Sequence, residues 1–139
     1  MNVESFLDTN VLVYAAAGRG SNERKRRRAV ELIETEDWGL SSQILQEFYV
    51  CAVRKVATPL ESAAALDWIR QFRAFPCVPV DADLVELAIE ISARHRISYW
   101  DGAVVAAAGL LGAKTLYTED LQHGQQMGPV RVSNPFVNL

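Results

Sequence analysis

Cysteine and histidine are scarce in this chain, with two of each in 139 residues, and the scarcity narrows its chemistry. Cys51 and Cys77 are too few and too widely spaced for a disulfide framework or a thiolate metal site. They read as two buried, reduced thiols of a cytoplasmic protein. His95 and His123 have no serine or cysteine beside them in a nucleophile motif, so both are expected at the surface. Long apolar runs are missing too. The best candidate, from Ala103, is broken by Gly109, Gly112 and Lys114, short of the roughly 18 apolar residues a membrane span needs, so no membrane partner is expected. The opening MNVESFLDTN carries acids early, unlike a secretory signal. The lack of any Gly-x-Gly-x-x-Gly stretch removes a dinucleotide-binding reading. There is no basic excess: 14 Lys and Arg stand against 17 Asp and Glu, a net charge of −3. Global charge therefore does not mark a nucleic-acid binder, although a local patch still can.

What is present is a globular composition. Hydrophobic residues make up 50% of the chain and charged residues 22%, enough apolar surface for one core. No repeat, low-complexity tract or linker divides the sequence, so residues 1–139 are expected to form one domain.

Short apolar runs alternate with helical periods. Residues 3–7 predict a strand that stops at Asp8, and TNVLVYAAAG a helix ending at Gly18. RGSN is a loop, and ERKRRRAVELIETE a helix that buries Ala29, Val30, Leu32 and Ile33. WGLSS is a short strand leading to Ser41 or Ser42 as a cap. In QILQEFYVCAVRKV, Ile44, Leu45, Phe48, Tyr49, Ala52 and Val56 form a helical apolar stripe. TPLE predicts the next helix start, with Thr58 as cap, Pro59 in the first turn and Glu61 closing a capping box. That helix runs to about Phe72. CVPV is a third strand, Asp81 caps the helix ADLVELAIEISARH, and ISYWDGAVVAAAGLL is a helix closed by Gly112. KTLYT is a strand, Gly124 and Gly128 mark a loop, and VRV is placed as an edge strand. The alternation predicts an α/β fold, a central mostly parallel β-sheet flanked by α-helices. Such sheets bind ligands at the carboxyl ends of their strands.

Four acids fall toward that edge. Asp8 ends the first strand, and Asp120 follows KTLYT by two residues, with Glu119 beside it. Asp101 lies at a helix N-terminus. Glu47 borders the apolar stripe in the second turn of its helix. Each has an ordinary use: Asp8 and Asp101 as caps, Glu47 as a flanking residue, Glu119 and Asp120 as loop solvation. Together, four close carboxylates repel one another unless a cation intervenes. Hard oxygen ligands of this kind suit Mg²⁺ or Mn²⁺, whose natural chemistry at a phosphate is phosphodiester hydrolysis.

The same stretches resemble the motifs of PIN-domain nucleases. FLDTNVLVY is similar to the opening motif with Asp8, Thr9 and Asn10; SSQILQEFY to the helix supplying a glutamate, here Glu47. SYWDGAVVAAA is similar to the segment of the third acid, Asp101, with Gly102 where alanine is common. LYTEDLQHG is similar to the segment near the fourth, for which Asp120 fits better than Glu119. The likeness runs from Val3 to about Val132 and is nearest to the VapC toxins of type II toxin–antitoxin pairs. It implies a PIN-like fold and a Mg²⁺-dependent endoribonuclease, with Mn²⁺ as a substitute. It also implies a homodimer, silenced by a VapB-type antitoxin, that cleaves structured RNA such as tRNA or rRNA. Asp8 and Asp101 would be the main metal ligands. Glu47 and Asp120 would complete the shell, position a second ion or orient the attacking water, and Thr9, Asn10 and Thr118 would hydrogen-bond the carboxylates.

Arg24, Lys25, Arg26, Arg27 and Arg28 form a basic run where cations are disfavoured, near a helix N-terminus. It is either a solvated face or a contact for RNA phosphate or an acidic antitoxin segment. Trp38, Trp68 and Trp100 read as core or interface anchors, with Trp68 and Phe72 on one helical face as a candidate dimer or antitoxin surface. A PIN-domain RNA-processing nuclease that is not a toxin would share the chemistry. A Mg²⁺-binding receiver-type signalling domain would need a pair of acids after the first strand, where FLDTN has one. A binding module without catalysis would have no need of all four acids.

Overall fold

The computed structural model describes residues 2–18 and 22–139. Its elements run β1 (Ser5–Leu7), α1 (Thr9–Ala17), α2 (Glu23–Thr35), β2 (Trp38–Ser41), α3 (Ser42–Arg54), α4 (Ser62–Phe72), β3 (Cys77–Val78), α5 (Ala82–His95), α6 (Tyr99–Leu110), β4 (Thr115–Tyr117), β5 (Gln126–Met127) and β6 (Val130–Ser133). The strand order is β3-β2-β1-β4-β6-β5. β1 pairs in parallel with both β2 and β4, and the parallel register extends to β3 and β6. β5 runs antiparallel to β6. The predicted α/β fold with a mostly parallel sheet is therefore the observed one. Among the described residues, no helix is long and apolar enough to cross a membrane.

β1 is buried along its whole length, and the Ser5 hydroxyl is satisfied by donating to Glu36 Oε1 at 2.8 Å. From β1 the chain runs outward through β2 to β3, then crosses back by α5 and α6 to β4 on the other side of β1, so the direction of winding reverses at β1 and β4. At such a reversal a crevice opens at the carboxyl ends of the strands. α1 follows β1 there, α3 follows β2, and α6 must start at the same edge because β4 begins at the other. The amino edge is marked by the Val3 N–H donating to the Leu111 carbonyl at 2.9 Å.

Three helices start where the caps predicted. Asp8 accepts from the Thr9 N–H, Ser41 rather than Ser42 accepts from the Ile44 N–H, and Asp81 accepts from the Leu84 N–H. α6 is buried on nearly every side: Ala103, Val104, Val105, Ala106, Ala107 and Ala108 belong to the core. Gly112 follows it at φ +71°, in the left-handed region that favours glycine. Gly102 marks a close approach, since a Cβ there would lie 2.6 Å from the Ala88 carbonyl oxygen and 3.0 Å from Ser92 Cβ. Gly102→Ala is therefore expected to push α6 off α5 and destabilise the chain by about 1–3 kcal/mol. A thermal melt should show a loss of roughly 3–10 °C, and an unchanged melting temperature would refute the tight crossing.

Several expectations are corrected. TPLE does not start a helix: α4 begins at Ser62 with Glu61 as its cap residue, and no side chain caps it. Instead the Leu60 N–H donates to the Ala52 carbonyl at 2.9 Å, folding residues 58–61 back onto α3. VRV is not an edge strand, because the two-residue strand β5 pairs outside it. Tyr49 leaves the predicted stripe and is exposed, and Val56 lies beyond α3. Cys51 and Cys77 are free but only half-buried. Trp38 is a core residue stacked on Phe75 at 4.1 Å, and Phe72 is buried against Phe48 and Trp68 instead of facing outward. Trp100 is exposed. His123 is exposed as expected, whereas His95 is half-buried. Of the loop expected at 19–22, all but Asn22 lies outside the described residues.

Candidate active site

The carboxyl edge of β1 and β4 opens into a cavity of about 740 Å³ whose lining includes Asp8, Glu47, Asp101, Glu119 and Asp120. All four predicted acids thus face one space. Their surroundings differ. Asp8 is buried, 5% exposed, because the ladder continues past β1: its N–H donates to the Tyr117 carbonyl at 3.0 Å. That pairing sets Asp8 beside Thr118, whose hydroxyl donates to Asp8 Oδ2 at 2.8 Å, while the Thr9 N–H donates to Oδ1 at 2.7 Å. Both carboxylate oxygens are therefore arranged as acceptors, the pattern of an ionised group. Burial opposes that ionisation and prevails, aided by the nearby negative charges of Asp120 and Glu47. The Asp8 pKa is pushed up to about 7.

One hydrogen-bond chain ties the acids to each other. Asn10 Nδ2 donates to Thr118 Oγ1 and to Asp120 Oδ2, each at 3.1 Å. Thr118 Oγ1 also accepts the Asp120 N–H at 3.0 Å. The Thr9 hydroxyl donates to Glu47 Oε1 at 3.0 Å. Thr9, Asn10 and Thr118 thus make the contacts to carboxylates that the resemblance implied. Asp101 is different: Ser98 caps α6 by accepting the Asp101 N–H at 3.0 Å. Among the described residues no donor engages the Asp101 carboxylate, which stands half-buried at the helix N-terminus, where a negative charge is favoured.

Glu119 is committed elsewhere. It accepts from the Tyr14 hydroxyl at 2.6 Å and forms an ion pair with Lys25 at 3.0 Å. Hydrogen bonds to Tyr14 and Glu119 hold the Lys25 ammonium above its ordinary pKa. The rest of the basic run, four arginines, is half neutralised within its own helix by two carboxylates. Arg26 and Arg27 both pair with Glu23, and Arg28 pairs with Glu31.

Two residues of the site, Gln43 and Tyr14, escaped sequence reasoning, and Lys25 was read there only as part of the basic run. Gln43 is buried, and its Nε2 donates to the Trp100 carbonyl at 3.2 Å and reaches Glu47 Oε2 at 3.5 Å. Its spacing of four before Glu47 was the available signal. Tyr14 sits one turn after Asn10 on α1. Lys25 gave no local sign of reaching Glu119, 94 residues away.

A divalent cation fits this donor set. Asp8 is a nearly enclosed carboxylate with both oxygens arranged for the ionised form and burial working against it, and a cation removes the conflict. Among the described residues no three His, Cys, Asp or Glu side chains gather closely enough to enclose an ion. A cation there would be held by one or two carboxylates and by water, as Mg²⁺ commonly is.

The sequence matches the PIN domain family over residues 5–125. No curated protein matches it. Among solved structures, a toxin–antitoxin complex from Klebsiella pneumoniae is similar with a TM-score of 0.71 at 18% identity, over 96% of this chain and 98% of that one. VapC20 of Mycobacterium tuberculosis, described as a sarcin–ricin loop cleaving toxin, is similar with a TM-score of 0.66 at 22% identity, over 84% of this chain and 90% of that one. VapBC2 from Rickettsia felis, bound to a fragment of its promoter DNA, is similar with a TM-score of 0.63 at 18% identity, over 94% and 97%. At these identities the likeness is one of fold.

Proposed function

The chain belongs to the PIN domain family, and from that premise we propose that it is a metal-dependent endoribonuclease of the VapC toxin type, held inactive by a VapB-type antitoxin. In this reading residues 1–139 form one cytoplasmic domain that works as a homodimer on tRNA or rRNA. The observation that carries the reading is the meeting of Asp8, Glu47, Asp101 and Asp120 around one cavity, with Asp8 buried and both its oxygens engaged as acceptors.

Asp8 and Asp101 would hold Mg²⁺ or Mn²⁺, with Glu47 and Asp120 reaching it through bound water. The cation would supply charge neutralisation for the phosphate and a lowered pKa for water. The chain's own part is positioning. Thr118 and the Thr9 N–H fix the plane of the Asp8 carboxylate, Thr9 fixes Glu47, and Asn10 fixes Asp120. Glu47 and Asp120 would orient the attacking water. Lys25 and Tyr14 draw Glu119 aside, which supports Asp120 as the fourth acid.

RNA cleavage followed with Mg²⁺ and with excess EDTA tests the activity, which should vanish on chelation. Asp120→Asn should lower the rate about 10- to 100-fold. Glu119→Gln should stay within about fivefold of wild type, because its partly exposed ion pair contributes little. The reverse ranking would move the fourth acid to Glu119. The absence of RNA cleavage with either Mg²⁺ or Mn²⁺ would defeat the nuclease reading.

A further inference from the structure

Trp100 is the second residue of α6 and lies on the wall of the acid-lined cavity, immediately before Asp101. Its indole is 64% exposed, and the buried face of the helix begins two residues later at Gly102. A single exposed tryptophan needs no explanation by itself. This one is held in place. The Tyr99 ring meets it edge to face, with centroids 5.0 Å apart and planes at 80°. Its own carbonyl accepts from Gln43, a residue only 5% exposed. Ser98 caps the turn that carries it. The result is an aromatic ring carried on a fixed stretch of backbone at the rim of the site.

Charge explains why such a ring is needed. Among the described lining residues, five carboxylates face one cation, Lys55. The chain is net negative, Lys25 is tied to Glu119, and Arg24, Arg26, Arg27 and Arg28 do not line the cavity. Lysine and arginine contacts to phosphate, which dominate most RNA affinity, are therefore sparse around the acids. Stacking of a base on an aromatic ring requires no cation and tolerates any base, but it requires a base whose face is free.

We propose that Trp100 is a binding residue that stacks an unpaired nucleobase beside the scissile phosphate, setting the preference of the site for unpaired over paired RNA. The proposal rests on the ribonuclease reading above. An RNA hairpin with an open loop and a fully paired duplex of matching composition are titrated onto wild type, Trp100→Ala and Trp100→Phe. Ca²⁺ replaces Mg²⁺, and the RNA is recovered intact after each titration. Trp100→Ala is expected to bind the loop about 5- to 100-fold more weakly and the duplex within about twofold of wild type. Trp100→Phe restores most of the loop affinity. In Mg²⁺ the Trp100→Ala defect appears in KM with kcat retained. Unchanged loop binding by Trp100→Ala, or an equal loss on loop and duplex, overturns the stacking role while wild-type cleavage leaves the nuclease reading intact. A variant that keeps its RNA affinity but loses a protein inhibitor assigns the indole to protein docking and likewise overturns the proposal. If wild type neither binds nor cuts either RNA, the nuclease reading falls and the stacking role falls with it.

Discussion

Asp8→Asn is expected to lower kcat/KM for RNA cleavage by about 10²- to 10⁴-fold, because a cation bound at such a site supplies several kcal/mol at about 1.4 kcal/mol per factor of ten. The side chain keeps its shape and loses its charge. It also loses one acceptor. Thr9 N–H and the Thr118 hydroxyl both donate to Asp8, and an amide answers only one of them. If its NH₂ group turns toward Thr118, it meets an oxygen that already accepts from Asn10 and from the Asp120 N–H. The disturbance then travels to Asp120. Asp101→Asn is the cleaner companion, since no described donor holds its carboxylate and the Ser98 cap uses its backbone N–H. Both variants should keep a native circular-dichroism spectrum while losing cleavage. If either cuts RNA at the wild-type rate, the assignment of that carboxylate is wrong.

Metal-free protein should lose stability as pH rises from about 4 to about 7, the opposite of the usual carboxylate behaviour. The Asp8 pKa is raised from 3.8 to about 7, mainly by burial, against the lowering effect of the Thr118 and Thr9 hydrogen bonds. Across that window the folded chain keeps a proton that the unfolded chain has released, so unfolding is favoured as pH rises, and the loss is complete above the folded pKa. A shift of this size corresponds to about 4 kcal/mol, or roughly 10–15 °C in Tm for a chain of this length. Melts at pH 5 and pH 8 in EDTA measure it. Millimolar Mg²⁺ should recover much of the difference at pH 8 by binding the folded state. Asp8→Asn should flatten the profile, and subtracting its melts from those of wild type removes the contributions of the other carboxylates. Equal wild-type stability at both pH values in EDTA would show that burial does not control Asp8.

Much of the scaffold was legible because its signals are local. The Asp8, Ser41 and Asp81 caps act within three residues, and a hydrophobic period is read within one helix. The error at Thr58 has the same origin. TPLE satisfies the local rules for a helix start, but a backbone hydrogen bond from Leu60 to Ala52 holds it against α3, and a tertiary contact overrides a cap preference of about 1 kcal/mol. VRV was misplaced because a pair of residues, Gln126 and Met127, is too short to announce a strand before it finds its partner.

By itself the sequence determined the alternation of strands and helices, the parallel sheet, the positions of Asp8, Asp101 and Asp120 near element ends and that of Glu47 beside an apolar stripe, since periodicity, caps and strand termini are properties of neighbouring residues. Only the tertiary structure decided how those acids differ. Parallel pairing of β1 with β4 brings Thr118 onto Asp8 and buries it. α2 brings Lys25 to Glu119, which leaves Asp120 to Asn10. Gln43 enters the core beneath Trp100, whose indole stays outside. Desolvation and ion pairing depend on which distant segments arrive at a residue, and no local pattern encodes that arrival.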